Sequence, residues 1–402
     1  MNEIFADVRV VEVAGWHMVP AAGAVLAEFG ADVIKVENPA GGDPQRQVPT
    51  PGVPESSNGV SLTIEQSNRG KRSLALDISR PNGMAVLHDL VRTADVFMTN
   101  FLPPTRRKLS IDVEDVRALR SDIVYVRGDA VGRRGPEAGK PGFDYGVFWG
   151  RAGVAHAVAG PDASEPVTPR PGFGDRTSSM NIAFGVAGAL FRRGRTGEGA
   201  VVDVSLLGSG MWSNSGDLMY SKGTGQDYSQ RPRGSTYHRT ADGRWIIVTM
   251  PDPTRWWKEL SRQLGREELV DDPRFATPEA LAANRAALTS ELQVGFGSFT
   301  LDELRQRLGS DAPWEPVQNL LEVADDPQVV ANGYFADIQQ PAGDAVSVVR
   351  APVQFDEGVA ELRPAPRLGQ DSLQVLADLG YDEVRVASLV ADGIAADDEA
   401  GL

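Results

Sequence analysis

The sequence predicts an α/β protein with a doubly wound sheet in its first half and a smaller α+β domain after it. β-branched and helical segments alternate along the first third of the chain, as in sheets whose parallel strands are joined by helices. The composition changes near Tyr220, where a polar, glycine-rich stretch precedes one strand and a run of amphipathic helices. We therefore expect a large domain at residues 1–215 and a small domain at residues 225–332.

The first βαβ unit is the clearest local pattern. Residues 8–13 are β-branched and mostly apolar, which predicts a strand. Pro20 can open a helix, because its missing N–H would have no partner in the first turn. That helix should run to Phe29 and end at Gly30, and residues 31–37 predict a second strand. A strand, a helix and a strand at this spacing predict two parallel strands.

The later elements follow from the same patterns. Asn38 to Glu65 is rich in Pro, Gly and Ser and predicts a long surface loop. The acidic tail from Ala395 should be frayed. We expect further strands at residues 73–77, 95–99, 123–126, 200–204, 244–250 and 345–352. We expect helices at residues 81–93, at 177–193 with Gly194 ending the helix, from 205 onward, at 370–379 and at 382–392.

Composition excludes several kinds of site. The chain has 402 residues and no cysteine, which rules out thiol nucleophiles, Cys-bound zinc and iron–sulfur clusters. Its four histidines do not pair at metal-ligand spacing, so we expect no metal. A net charge of -15 argues against nucleic acid as a partner.

The sequence also shows no signal for a membrane. The N-terminus lacks the basic and apolar regions of a signal peptide. The most apolar run, residues 181–191, is shorter than the roughly 20 residues needed to span a bilayer. We therefore expect a cytoplasmic protein without a membrane partner.

The loop after the first strand argues against a dinucleotide site. Glu37 ends the second strand, where a ribose-binding acid would lie. The loop after Val13 lacks the G-x-G-x-x-G pattern, and its bulky residues Trp16, His17 and Met18 would keep a pyrophosphate away. His17 lies at the carboxyl end of a strand, where α/β sheets bind ligands. A functional and a structural role both stay open for it.

Two short basic clusters lie near strand ends, at residues 68–72 and 106–108. In an acidic protein, such clusters can hold phosphate groups. A solvated basic face would give the same pattern. Both interpretations stay open at this point.

Asp175 follows Gly172, Phe173 and Gly174 and precedes a predicted helix, which is typical of an N-cap. There, backbone N–H donors and the helix dipole would keep the carboxylate ionised. The flanking glycines would leave space for a substrate. Asp175 can therefore be a helix cap, a nucleophile or both.

Short motifs occur in order along nearly the whole chain. They lie at residues 30–37, 68–73, 76–77, 95–96, 100–101, 135–136, 141–144, 174–175, 195–199, 241–245, 351–353 and 366–369. Together they resemble the family III CoA-transferases, the group that contains formyl-CoA transferase and carnitine CoA-transferase. Many matches in the same order are more specific than any single motif.

The resemblance implies an acyl-CoA:carboxylate CoA-transferase with Asp175 as its nucleophile. The carboxylate would attack an acyl-CoA thioester, and the exchange would pass through an Asp175–CoA thioester before an acceptor acid takes the CoA. The implied partners are coenzyme A, bound as acyl-CoA, and a free carboxylic acid, with no metal. Asp144 matches an acidic position near the nucleophile and would position the nucleophile or the substrate.

The resemblance also implies an architecture and a set of CoA contacts. The large domain would be Rossmann-like and completed by residues 335–402, and two chains would interlock as a homodimer. The residues implied to bind CoA are His17, Met18, Leu76, Asp77, Asn100, Phe101, Leu102, Lys108, Lys140 and Asp144.

The chain departs from the family pattern at two of these segments. Val19 replaces the usual Gly before Pro20, so we expect the backbone of that loop to differ from that of the family. Lys108 replaces the usual Arg, so a point charge stands in place of a forked donor.

Two other functions fit the same fold. A 2-methylacyl-CoA racemase needs two proton carriers, but Phe143 stands where that subfamily has His. A non-catalytic CoA-binding homologue would lack the carboxylate of Asp175. For the substrate, Tyr145, Phe148 and Trp149 predict an apolar pocket for a bulky or hydrophobic acyl group, although the same side chains could belong to the core.

Overall fold

In a computed structural model of the chain, the structure describes residues 3–47, 61–160, 163–167, 169–230, 237–250, 253–308, 314–341 and 343–398. The chain divides into two compact units, one formed by Met1–Gln230 with Asn332–Leu402 and the other by Arg231–Ala331. Within the described ranges, no helix is long and apolar enough to cross a membrane.

The elements are numbered in chain order. The strands are β1 Arg9–Val13, β2 Asp32–Glu37, β3 Arg72–Leu76, β4 Val96–Thr99, β5 Val124–Asp129, β6 Val201–Ser205, β7 Tyr237–Arg239, β8 Trp245–Val248, β9 Trp314–Pro316, β10 Phe335–Ile338, β11 Val346–Val349 and β12 Ala395–Ala396. The α-helices are α1 Met18–Glu28, α2 Pro44–Gln47, α3 Leu62–Asn68, α4 Pro81–Thr93, α5 Pro103–Lys108, α6 Val113–Leu119, α7 Val154–Ala159, α8 Phe173–Thr196, α9 Leu206–Ser213, α10 Ser215–Thr224, α11 Pro253–Gln263, α12 Pro278–Ala283, α13 Arg285–Phe296, α14 Leu301–Arg307, α15 Leu320–Ala324, α16 Pro327–Ala331, α17 Ser372–Asp378 and α18 Glu383–Ala391. A π-helix covers Tyr145–Arg151, and short 3₁₀ segments cover Tyr228–Gln230, Glu267–Leu269 and Pro273–Phe275.

A seven-stranded sheet organises the large unit, in the order β12-β3-β2-β1-β4-β5-β6. The six strands β1 to β6 are parallel, and β12 pairs antiparallel with β3. Val11 of β1 pairs with Ile34 on one side and Phe97 on the other. The order 3-2-1-4-5-6 is that of a doubly wound, Rossmann-like sheet, so the predicted fold class is confirmed.

Helices cover both faces of this sheet. Val10 and Val11 are fully buried neighbours on β1, and they belong to different hydrophobic clusters because successive side chains point to opposite faces. Leu26 of α1 and Ile182 of α8 pack in the cluster of Val10. Leu87 of α4 packs in the cluster of Val11, as do side chains of α6, α17 and α18. Each residue of α1 is buried, so this helix lies inside the unit.

The small unit has its own core. The antiparallel strands β7, β8 and β9 form its sheet. Ile246 of β8 lies in one cluster with Trp257, Phe275, Phe296 and Leu304 from the surrounding helical segments. This unit therefore combines helices with an antiparallel sheet.

Two segments that the sequence predicted to be irregular are ordered. Within residues 38–65, the described parts contain α2 and the start of α3, and Asp43, Gln45 and Glu65 are buried. The surface-loop prediction is wrong there, and residues 48–60 lie outside the described residues. The frayed-tail prediction is also wrong at Ala395, which is buried and pairs with Leu76 of β3.

Two predicted helix ends also differ. The first helix begins at Met18, so Pro20 lies inside its first turn, where a missing N–H still leaves no bond unmade. The long helix runs past Gly194 and ends at Gly197, whose φ of 73° gives the left-handed conformation typical of a C-terminal glycine.

Candidate functional site

The site begins at the point where the sheet order reverses, between β1 and β4. Doubly wound sheets bind ligands at the carboxyl ends of strands beside such a point. The loops after β1 and β4 are joined there by Asn100, whose Oδ1 accepts a hydrogen bond from the Gly15 N–H (3.2 Å). The Asn100 Nδ2 donates to the Gly15 carbonyl (2.6 Å). Phe101 and Leu102 follow toward α5, and Leu102 is exposed.

The loop after β1 holds Trp16 and His17 in a defined geometry. Trp16 has a φ of 65°, in the left-handed region that bulky residues rarely adopt. Its N–H donates to Asp43 Oδ1 (3.1 Å), and its ring packs edge-on against Phe143 at 5.7 Å. His17 is buried, with Nδ1 3.2 Å from Ser67 Oγ. Burial lowers the pKa of His17, so the imidazole is neutral at neutral pH.

Asp144 ties two helices together. It is buried at the start of the π-helix, where its Oδ1 accepts from the Tyr145 N–H (2.9 Å). Its Oδ2 accepts from the N–H groups of Gly172 (2.8 Å) and Gly174 (3.3 Å) at the start of α8. Glycine is required at both positions, because Gly172 has a φ of 88° and a Cβ on Gly174 would collide with the Phe148 ring.

Asp175 is the third residue of α8, and the helix is capped at Gly172. The prediction that Asp175 is an N-cap is therefore wrong, because Asp144 already accepts two of the free N–H groups at this helix end. Within the described residues, no donor bonds to the half-buried Asp175 carboxylate. Burial and the Asp144 charge raise the pKa of Asp175 to about 7, although Arg176 opposes this rise. The expectation that backbone donors hold Asp175 ionised is wrong for the same reason.

Four side chains form one electrostatic group at this site. The charges of Asp144 and Arg176 each act on the pKa of both His17 and Asp175. Asp144 is buried, whereas Arg176 is exposed. A carboxylate without hydrogen-bond donors can attack a carbonyl carbon, and a nearby guanidinium can bind an anionic group of the substrate.

Beneath the loop after β1 lie four buried charges, Glu12, Lys35, Asp43 and Lys71, which we call the charge quartet. Lys35 Nζ lies 2.9 Å from Glu12 Oε1 and 2.9 Å from Asp43 Oδ2. It also donates to the Ala14 carbonyl (2.9 Å). Lys71 Nζ lies 2.7 Å from Glu12 Oε2. Two ammonium groups and two carboxylates thus balance each other, as buried charges require.

The charge quartet holds the loop after β1 in place through hydrogen bonds to the loop's own carbonyl and N–H groups. Burial lowers the pKa of Lys35, but the carboxylates of Glu12 and Asp43 outweigh this effect and keep the residue charged. Burial lowers the pKa of Lys71 to about 8, even though Glu12 opposes the change. Gly23 of α1 makes room for the group, because a Cβ there would collide with Glu12 Oε2.

Glu37, which the sequence placed where a ribose-binding acid would lie, is bound inside the protein. Its two carboxylate oxygens accept from the guanidinium of Arg46 at 2.8 and 2.9 Å. Burial raises the pKa of Glu37, but Arg46 and Lys35 outweigh it and lower the value to about 2. The loop after β1 lacks the dinucleotide fingerprint, and Glu37 is already paired with Arg46. Both observations argue against a dinucleotide site.

The remaining predicted CoA contacts spread along the carboxyl edge of the sheet. Met18 and Leu76 are buried in the core, and Leu76 as a whole is only 1% exposed. Asp77 accepts from the Ser79 N–H (3.0 Å) in a tight turn after β3. β3 lies two strands from β1, a distance of about 10 Å.

Lys108 and Lys140 are both exposed. Lys108 ends α5, and no ion pair to it is found in the described ranges. Lys140 bonds Glu137 (2.6 Å), and the adjacent Gly139 packs on Pro103 at the start of α5. The structure therefore brings the Lys140 segment next to the segment that follows Asn100.

The first basic cluster differs from both open interpretations, whereas the second differs only at Arg106. In the first cluster, Arg69 pairs with Glu28 (2.6 Å) and Lys71 joins the charge quartet, so these cations neither face solvent nor bind phosphate. In the second, Arg106 is buried and donates to the Phe101 carbonyl (2.6 Å). Arg107 and Lys108 remain exposed there.

The aromatic residues near Asp144 do not form the predicted acyl pocket. Phe148 and Trp149 are buried in the core, and Tyr145 is exposed. Sequence reasoning gave no site role to Asp43, Phe143 or Arg176, since nothing in their local pattern marks them. Within the described residues, no group of three or more metal-binding side chains is found.

Known proteins resemble this chain over nearly its whole length. A sequence model of CoA-transferase family III matches residues 5–372. The chain is 30% identical over 403 residues to the cinnamoyl-CoA:phenyllactate CoA-transferase of Clostridium sporogenes, which covers 97% of both chains. It is 32% identical over 385 residues to the succinate–glutarate CoA-transferase of Agrobacterium fabrum, over 93% of this chain and 95% of the relative. A crystal structure of a CaiB/BaiF family protein from Brucella suis has a TM-score of 0.80 at 29% identity, over 94% of this chain and 100% of that chain.

Removing Asp43 tests the role of the charge quartet. Asp43→Ala leaves the Trp16 and Gln45 N–H groups without their acceptor and Lys35 without one of its two carboxylates. We expect the free energy of unfolding to fall by about 3 kcal/mol or more, measured by urea unfolding. Asp43→Asn keeps an acceptor oxygen and should cost less. If the free energy of unfolding falls by less than about 1 kcal/mol in Asp43→Ala, Asp43 does not hold the loop after β1 in place.

Proposed function

Since the chain belongs to CoA-transferase family III and is a CoA-transferase, we propose that Asp175 is its covalent nucleophile and forms an Asp175–CoA thioester. The main observation that supports this proposal is the environment of the Asp175 carboxylate. It has no hydrogen-bond donor within the described residues, it is half-buried, and its pKa is raised to about 7. A more basic carboxylate is a stronger nucleophile once it is ionised.

The reaction proceeds by two pairs of acyl transfers. An Asp175 oxygen attacks the thioester carbonyl, the carbon–sulfur bond breaks, and CoA leaves as the thiolate with its electron pair. The thiolate then attacks the Asp175 carbonyl of the mixed anhydride, which releases the first carboxylate and leaves the Asp175–CoA thioester. An acceptor carboxylate reverses these steps, so the new acyl-CoA forms and the Asp175 carboxylate returns. Atoms and charge balance without a proton acceptor.

Asp144 is a positioning residue in this scheme. Its hydrogen bonds to Gly172 and Gly174 hold the first turn of α8 and occupy donors that would otherwise stabilise the Asp175 carboxylate. Burial is the larger cause of the raised pKa of Asp175, and the negative charge of Asp144 adds to it. The racemase alternative gains no support, because Phe143 carries no proton and a racemase needs two proton carriers.

CoA itself would lie along the carboxyl edge of the sheet. We place the thioester end near His17 and Asn100, which meet at the reversal of strand order. The pantetheine and phosphates would extend past Phe101 and Leu102, with Lys108 and Lys140 as the exposed cations of that edge. Asp77, which follows β3, would contact the far part of the ligand.

The chain would act as a homodimer. Helix α10 has no buried residue, although it carries the exposed side chain of Met219. The exposed rings of Phe184 and Trp212 lie on the neighbouring helices α8 and α9. Large exposed apolar side chains on adjacent helices are typical of an interface between subunits.

Trapping tests the covalent intermediate. The purified protein is incubated with a panel of acyl-CoA donors, treated with hydroxylamine, and examined by intact mass and peptide mapping. We expect a hydroxamate at Asp175 and none in Asp175→Ala, whose turnover should fall at least about a thousandfold. If the wild-type protein turns over a donor and yet gives no adduct at Asp175, the proposed nucleophile is wrong.

The pH profile tests the electrostatic role of Asp144. Activity should rise with pH through a value near 7, because Asp175 must lose its proton before it attacks. Asp144→Asn removes the charge that raises this pKa, so the acid limb of kcat/KM should move to lower pH by about one unit. Asp382→Asn alters another carboxylate that caps a helix and should leave the limb in place. If the acid limb of kcat/KM does not move in Asp144→Asn, the proposed electrostatic role of Asp144 is wrong.

The dimer is tested by light scattering after size exclusion. We expect a mass twice that of the 43.1 kDa chain. Trp212→Asp should shift the protein toward the monomer, because a charge at an apolar interface is costly to bury. The matched control is Val384→Asp, which places the same charge on an exposed apolar residue of α18 and should remain dimeric. A monomeric wild-type protein would overturn the proposal.

A further inference from the structure

Three exposed aromatic rings come from the segments that carry His17, Asp144 and Asp175. Trp16 is 37% exposed, Phe143 is 65% exposed and Phe173 is 50% exposed. They come from three separate segments of the chain: the loop after β1, the residue before the π-helix, and the first residue of α8. Exposed rings from three segments at one place are unusual on a surface that water alone covers.

Ring contacts and hydrogen bonds connect these aromatic residues to the segments that carry Asp144 and Asp175. The Trp16 ring packs edge-on against Phe143, at an interplanar angle of 85°. Phe143 precedes Asp144, which is hydrogen-bonded to the residues on either side of Phe173. Phe173 lies two residues before Asp175 and rests on Trp149 at 5.5 Å. The buried Trp149 thus supports a ring whose other side is open.

The charges at the site add a second constraint. Arg176 follows Asp175, is exposed, and has no ion pair in the described parts of the chain, so it can receive one carboxylate. Lys140 and Arg151 both pair with Glu137, which already neutralises them in part. An acid with a second carboxylate would have to place that group against aromatic rings, where the neutral Trp16 indole N–H is a weaker replacement for its water than a cation would be.

We propose that the acids exchanged at this site are monocarboxylic acids with a bulky apolar body, such as an arylalkyl group. Arg176 binds the carboxylate of the acceptor, and Trp16, Phe143 and Phe173 contact its body. This inference rests on the proposed function of Asp175 and adds the substrate class. Aromatic rings contact an aryl group edge-on or offset, so an aryl acid gains contacts that acetate or a dicarboxylate lacks.

The test uses 3-phenylpropionyl-CoA, acetyl-CoA and glutaryl-CoA as donors to the full-length protein. The rate of adduct formation at Asp175 is measured by hydroxylamine trapping. We expect 3-phenylpropionyl-CoA to react with a kcat/KM at least about tenfold above that of either other donor. If glutaryl-CoA or acetyl-CoA reacts as fast or faster, the substrate class is wrong and the nucleophile stands. If no donor gives an adduct at Asp175, the proposed function fails, and this inference with it.

Variants separate specificity from general damage. Phe143→Ala should lower kcat/KM for 3-phenylpropionyl-CoA about tenfold and change the acetyl-CoA value little, and Phe143→Leu should recover part of the loss. Phe191→Ala deletes another exposed ring from α8, at a distance of about 27 Å along the helix from Phe173, and should change neither value. Equal losses for both donors in Phe143→Ala would overturn the role of Phe143 in specificity.

Discussion

The charge quartet is the constraint on which the site depends. Two lysines and two carboxylates are buried where the sheet order reverses. Lys35 donates to the Ala14 carbonyl of the loop after β1 and pairs with Asp43, whereas Lys71 donates to the Pro20 carbonyl of α1. A buried pair of charges adds little net stability, but removing one partner leaves an uncompensated charge at high cost. The quartet therefore acts as a specificity device. It favours the arrangement of the loop in which the Trp16 backbone is in the left-handed conformation and the His17 side chain is buried.

A second constraint divides the work between two carboxylates. Asp144 is buried and takes the N–H groups of Gly172 and Gly174, so it serves the structure of the helix terminus. Asp175 lies one helical turn after Gly172 and accepts no hydrogen bond from the described residues, and its pKa is raised to about 7. If Asp175 were itself the cap, the same donors would lower its pKa and weaken it as a nucleophile. The geometry thus keeps reactivity and helix capping on separate residues.

The sequence was sufficient for the parallel strands and for the family, because β-branched runs and ordered motifs are local signals. It was insufficient where the decisive partner is distant. The cap of α8 comes from Asp144, 28 residues before Gly172, and no local pattern distinguishes this from capping by Asp175. Charged residues are mostly exposed, so the burial of Lys71 could not be foreseen from its basic neighbours. The pairing of Ala395 with β3 likewise depends on the completed sheet.

The aromatic surface also answers a requirement of the chemistry. An acyl–aspartyl anhydride reacts with water, so exchange is efficient only when the thiolate returns before water does. In the proposed function, an acid whose body covers the exposed rings of Trp16, Phe143 and Phe173 would exclude water from the reacting carbonyl and leave Arg176 as the polar contact for an incoming carboxylate. The rings proposed to select a bulky acid would then also protect the intermediate that this acid forms. An acid too small to cover them leaves water beside the anhydride, which links acyl preference to the ratio of transfer to hydrolysis.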